Sequence, residues 1–176
     1  MKLKSQLFDE RAIERAIMRI SHEIIERNES NDNIIFVGIK TRGVPLAERI
    51  SEFIYNKIDS SKKIPVETLD ITYFRDDIKK TEVEKNNISC DVDGKTVVLV
   101  DDVIYTGRTI RAALDALTDV GRPAKIQLAV MVDRGHRELP IRPDYIGKNI
   151  PTSKNEIIQV SFKEIDGEDS IEIFEK

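Results

Sequence analysis

Two adjacent carboxylates, Asp101 and Asp102, stand three residues ahead of the tetrad Thr106-Gly107-Arg108-Thr109. The tetrad has the makings of an anion cradle. Gly107 permits φ > 0 and close approach of the backbone. Successive N–H groups there can converge on a phosphate, and a helix starting at that point adds partial positive charge. Thr106 and Thr109 supply hydroxyl donors. The carboxylates would repel a phosphate held directly, so they suit a neighbouring group rich in hydroxyls, or a divalent cation. A phosphate beside a polyol describes a ribose 5-phosphate.

A second loop carries complementary chemistry. In Val37-Gly38-Ile39-Lys40-Thr41-Arg42-Gly43 the two outer glycines have the spacing of a nucleotide-binding loop. Val44-Pro45 stands where that loop needs Lys-Ser/Thr, which disfavours a nucleoside triphosphatase. The stretch reads either as an ordinary strand-to-helix loop or as a pyrophosphate loop. In the second case backbone N–H groups and the Arg42 fork would face the anion.

The elements that must position these loops follow from periodicity. Val97–Val100 is a β-branched apolar run suited to a buried parallel strand, ending in the two carboxylates. Ile110, Ala113, Leu114 and Leu117 share one helical face, which Gly121 and Pro123 terminate. Ile34–Ile39 and Lys125–Val132 read as further buried strands, and Val44 to about Ile58 as a helix with Pro45 in its first turn. Asp9 caps a helix to about Asn28 with the buried stripe Ile13, Ile17, Ile20 and Ile24. Val66–Tyr73 alternates as a strand with one wetter face, and Glu156–Phe162 and Ile171–Phe174 read as late strands. Between Arg75 and Lys85 eight residues are charged, marking about 75–89 as a surface loop or a lid, with Arg75 and Lys79 as candidate pyrophosphate contacts.

The 176 residues fit one domain, 40% hydrophobic and 34% charged. The net charge of −4 means that any nucleic-acid surface must be a local patch. Arg15, Arg19 and His22 fall on one face of the first helix, and a solvated face is the plain reading. Cys90 is the single cysteine, and residues 1–10 lack a signal-peptide pattern, so a reducing, cytoplasmic location is expected. No apolar stretch approaches the ~20 residues of a membrane span. Leu99-Val100-Asp101-Asp102 also resembles the acidic strand of signalling receiver domains. There the acids open the domain, whereas here only 74 residues follow Asp102.

Val97–Thr109 resembles the phosphoribosyl-pyrophosphate motif of the type I phosphoribosyltransferases. Val37–Gly43, Val132–Pro140 and Gly147–Ser153 resemble one subfamily of them across essentially the whole chain. These are the bacterial pyrimidine operon attenuation regulators that are also uracil phosphoribosyltransferases. The resemblance implies an α/β fold with a central, mostly parallel sheet flanked by helices. It also implies a small hood from the N-terminal segment and about 134–176, and a flexible lid at about 75–89. The implied reaction is uracil plus phosphoribosyl pyrophosphate to UMP plus pyrophosphate, with Mg²⁺ held mainly by substrate and water. A purine base or orotate in place of uracil is the alternative, because the central motif reads sugar phosphate and not base.

By the same resemblance Asp101 and Asp102 hold the ribose hydroxyls, while Thr41 and Arg42 bind pyrophosphate. Val103, Ile104, Tyr105, Thr106, Gly107, Arg108 and Thr109 fix the 5-phosphate. Arg134 and the backbone at Ile158 lie beside the base. Arg19, His22, Arg27, His136, Arg137, Arg142 and Lys148 would form a surface for pyrimidine operon leader mRNA, read when UMP or UTP fills the site. Met18 departs from the hydroxyl residue expected at its place. A homodimer or higher homo-oligomer is expected.

Overall fold

The computed structural model describes residues 1–29, 31–74 and 88–176. Residues 75–87 of the expected lid, with Arg75 and Lys79, lie outside the described residues.

The strands are β1 (Lys2–Phe8), β2 (Ile34–Ile39), β3 (Val66–Leu69), β4 (Thr96–Ile104), β5 (Lys125–Asp133), β6 (Tyr145–Asn149), β7 (Glu156–Ser161) and β8 (Ser170–Glu175). The helices are α1 (Glu10–Asn28), α2 (Gly43–Lys57), α3 (Arg108–Val120) and the short α4 (Lys163–Asp166).

Five strands form a parallel sheet in the order β3-β2-β4-β5-β6. Alternation along each strand sends side chains to two cores. Phe36, Val98, Val100, Ala129 and Met131 join the stripe of α1 and the buried face of α2. Val37, Val97, Leu99, Leu128 and Val130 meet Ile110, Ala113, Ala116 and Leu117 of α3 on the other face. Near-continuous apolar strands are what a sheet covered on both faces requires. Each fully buried isoleucine contributes roughly 1.5–3 kcal/mol, so Ile13, Ile20 and Ile24, all wholly buried, fix α1 firmly. Asp9 caps α1 by accepting the Ala12 N–H at 2.8 Å.

Two strand boundaries differ from the periodicity reading. β4 does not stop at Val100; it runs through both carboxylates to Ile104, because Asp101, Val103 and Ile104 keep their register with β5. β3 ends at Leu69 rather than Tyr73. The Asp70 carboxylate accepts both the Thr72 N–H (3.0 Å) and its hydroxyl (2.6 Å), turning the chain into a 3₁₀ turn at Thr72–Phe74.

A second, antiparallel sheet has the order β1-β8-β7. Ile158, Val160, Phe162 and Ile171 carry it into the core that also holds α1 and α2. Arg49 of α2 fastens the adjoining turn, meeting Glu164 and Asp169.

Candidate active site

The strand order reverses at β2, with β3 on one side and β4 on the other, so a crevice opens beyond the carboxyl ends of β2 and β4. This crevice, of about 440 Å³, is lined among others by Thr41, Arg42, Asp101, Asp102, Val103 and Thr109. The two loops singled out by their chemistry therefore converge, although some sixty residues separate them in the chain.

Glycines make the convergence possible. A Cβ on Gly43 would overlap the Val100 carbonyl oxygen, and one on Gly38 would lie 2.6 Å from the Val44 Cα. The start of α2 is thus seated directly on β4 and on the end of β2. The Lys40–Thr41 peptide between them is cis. Gly107, at φ 93°, is the N-cap of α3 and turns the chain from β4 into the helix.

The acidic pair is asymmetric. Asp101 is buried and its carboxyl accepts the Asp102 N–H at 2.9 Å, while the Asp102 carboxyl accepts the Val103 N–H at 2.8 Å. Burial, then the charge of Asp102 alongside, pushes the Asp101 carboxyl well above the ordinary carboxylate range. Burial also raises Asp102, opposed by its hydrogen bonds to Asp101 and Val103 and by the nearby Arg42. The two carboxyls are thus both held above the ordinary carboxylate range, Asp101 by burial and the neighbouring charge, Asp102 by burial against its hydrogen bonds and Arg42.

The opposite wall was not read from the sequence. Asp70 and Thr72 line the crevice beside Lys40, whose ammonium lies 3.3 Å from Asp70. Arg42 does not stand alone either: its guanidinium forks onto Asp166, Nε at 3.1 Å and Nη2 at 2.7 Å. Asp70 and Thr72 carried a signal in their Asp-x-Thr spacing. Asp166 carried none, because 124 residues separate it from Arg42.

The remaining residues of the 103–109 loop divide their contacts. Thr106 accepts the Arg108 N–H through its hydroxyl (3.3 Å) and the Glu138 and Leu139 N–H groups through its carbonyl (2.9 and 3.2 Å). Ile104 points into the core, and its carbonyl accepts the Arg134 N–H at 3.2 Å. Arg108 is exposed and pairs with Glu138 at 2.9 Å. Tyr105 lies beneath the Arg134 guanidinium, 3.9 Å from its ring centroid, and meets the His136 ring edge-on at 5.8 Å. Arg134 is buried and bridges the sheets, donating to the Thr152 hydroxyl (3.2 Å) and the Glu156 carbonyl (2.7 Å). Ile158 is in the core beside β8.

The basic residues read for RNA sit on α1, on β6 and in the connection between β5 and β6. Arg19 donates to the carbonyls of Ile146 (2.9 Å) and Gly147 (2.7 Å), and Arg27 pairs with Asp144 at 2.8 Å. Both remain about half exposed, at 48% and 53% of the side chain. His22 is exposed and meets Phe53 edge-on. His136 and Arg142 line a neighbouring cleft of about 650 Å³ with Ile146, and Lys148 is exposed on β6. Arg137 lines the same cleft, with its guanidinium turned inward. Its guanidinium donates to the Ile141 carbonyl (2.8 Å), the Tyr105 carbonyl (2.8 Å) and Asp133 (2.6 Å), which makes it a brace of this loop.

Residues 4–165 match the family model for the phosphoribosyl transferase domain. The chain is 59% identical over 180 residues to "Bifunctional protein PyrR" of Thermoanaerobacter sp. (strain X514), covering 100% of both chains. It is 61% identical over 178 residues to the protein of that name from Clostridioides difficile (strain 630), covering 98% of each. Among solved structures it superimposes on a hypoxanthine phosphoribosyltransferase from Staphylococcus aureus with a TM-score of 0.74 at 17% identity. That match covers 99% of this chain and 92% of the other.

Proposed function

The chain belongs to the phosphoribosyltransferase family, and from that premise we propose that it converts uracil and phosphoribosyl pyrophosphate to UMP and pyrophosphate and also binds a pyrimidine operon leader transcript. The observation that carries the enzymatic reading is the meeting of Asp101, Asp102 and Thr109 with Thr41 and Arg42 in one crevice at the strand reversal. Near-identity in length with the bifunctional relatives supports the second activity.

Positive charge develops on the ribose ring and negative charge on pyrophosphate as the C1–O bond breaks, so catalysis rests on groups aimed at those charges. Asp102, the more exposed of the pair, faces the ring, with Asp101 buried behind it. Both can accept or share hydrogen bonds with ribose hydroxyls. Thr106, Gly107, Arg108 and Thr109, at the start of α3, hold the 5-phosphate, a remote grip that orients the reacting centre. Thr41 and Arg42 receive the pyrophosphate.

The crevice carries hard oxygen donors, Asp102, Asp70 and the threonines, that suit Mg²⁺ through its water shell. Bound there, Mg²⁺ offsets the charge of the leaving group. The antiparallel sheet β1-β8-β7 serves as the hood and carries the strand of Ile158 toward the base, while Arg134, just beyond β5, reaches across to it. Arg19, His22, Arg27, His136, Arg142 and Lys148 serve as the RNA surface, with Arg137 bracing it. A homo-oligomer completes this surface.

Pyrophosphate release is the decisive assay, run with uracil and with orotate and hypoxanthine as controls. Release with uracil alone is expected. Asp102→Ala is expected to slow it a few hundred-fold, from ~3 kcal/mol per well-placed electrostatic group, with the fold intact. Transfer to hypoxanthine rather than uracil would overturn the reading of the base.

A further inference from the structure

Arg42 is the cation given to pyrophosphate above, and in this structure its recognition edge already holds an anion. Nε and Nη2 point at the two oxygens of Asp166, the bidentate arrangement an arginine also uses for phosphate. One edge cannot serve both. We propose that Asp166 is a resident surrogate for the diphosphate, released when substrate takes the Arg42 fork, and thereby sets the affinity of the site for its leaving group. The proposal rests on the pyrophosphate role of Arg42.

Three observations favour exchange over a fixed structural pair. The turn bearing Asp166 has its own fastening. Arg49 grips Glu164 through Nε (2.6 Å) and Nη2 (2.5 Å) and Asp169 through Nη1 (2.7 Å) and Nη2 (2.8 Å). Its guanidinium also lies 5.2 Å from the ring of the wholly buried Phe162. Loss of the Arg42 contact therefore leaves the turn seated. Second, Asp166 keeps a partner after release, because its Oδ2 also accepts the Phe162 N–H at 2.9 Å. Third, the Arg42 and Asp166 side chains are 34% and 18% exposed, so water screens the pair and it can exchange. Arg42 also lies in the field of Asp102, so an arriving diphosphate meets two carboxylates around one guanidinium. Withdrawal of Asp166 removes the nearer of them.

The test is titration of the full-length protein with inorganic pyrophosphate in the presence of Mg²⁺, beside titration with UMP. Asp166→Asn is expected to bind pyrophosphate about fivefold more tightly, the upper range for a part-exposed ion pair. KM for phosphoribosyl pyrophosphate should fall in step and kcat should not rise. UMP, which carries the 5-phosphate and no diphosphate, should bind as in the wild type. Asp166→Glu, which keeps the charge, should stay at wild-type affinity, and an equal gain there would overturn the proposal by assigning the effect to a loosened turn. Unchanged or weaker pyrophosphate binding by Asp166→Asn and Asp166→Ala would also overturn it, leaving Asp166 a residue that orients Arg42. A wild-type protein that neither binds nor releases pyrophosphate would instead overturn the proposed enzyme.

Discussion

Asp101 and Asp102 are chemically identical neighbours with different work, and strand geometry divides it. Successive residues of β4 face opposite sides, so one carboxyl is driven inward while the other stays part-exposed at the crevice. Burial raises the Asp101 carboxyl above its ordinary value of 3.8. A carboxyl raised by folding stabilises the native state while protonated, and that contribution is lost as pH climbs from 3.8 through the raised value. Asp101→Asn keeps an oxygen for the Asp102 N–H and removes the titrating group. Urea unfolding should find this variant more stable than the wild type at neutral pH, with the difference vanishing below pH 3.8. Its transfer rate should fall less than that of Asp102→Ala. A variant less stable than the wild type at neutral pH would show that Asp101 is buried as an anion.

The elements depend on close backbone approaches as much as on apolar stripes. Gly43 lets α2 begin on top of β4, and no side chain fits there. Gly43→Ala must push the helix start away from Val100, at roughly 1–3 kcal/mol for an overpacked site. That shift also moves Thr41 and Arg42 away from the acidic pair. A lowered denaturant midpoint with a raised KM for phosphoribosyl pyrophosphate is the expected result, and wild-type kinetics would contradict the seating argument. Gly43 also shows how far the chain could be read beforehand. α1, α2 and α3 were legible because each buries a periodic apolar face, and the central strands β2, β4 and β5 because each is a near-continuous apolar run. β1 was not: its residues are almost wholly exposed, its pairing with β8 spans the whole chain, and two register shifts interrupt it. β6 was hidden by Gly147, which looks like a breaker. It is needed because a Cβ there would lie 2.5 Å from the Met131 carbonyl oxygen. The acids and the phosphate loop were legible because their chemistry is local, whereas Asp166 becomes part of the site only through the tertiary fold.

At the scale of the whole molecule, a net charge of −4 repels RNA, so attraction has to come from a local patch, proposed here on α1, β6 and the loop after β5. No described helix is long and apolar enough to cross a membrane. About five phosphate contacts on a single strand give a salt slope near −3.5, or roughly a hundredfold loss of leader-RNA affinity between 50 and 200 mM salt. Lys148→Ala, which removes one exposed cation from β6, should reduce that slope by a little under one and leave uracil transfer unchanged. The same patch touches the site: Tyr105 of the phosphate loop lies between Arg134 and His136, and Arg137 ties the Tyr105 carbonyl to Asp133. With nucleotide and RNA bound as proposed, the two share one loop, and their affinities are bound by reciprocity. If UMP tightens RNA by some factor, RNA must tighten UMP by that same factor. Titrating each in the presence and absence of the other measures both, and equal factors above one are expected. Factors of one for both would leave two independent sites on a single protein and remove the regulatory half of the function while the transferase stands.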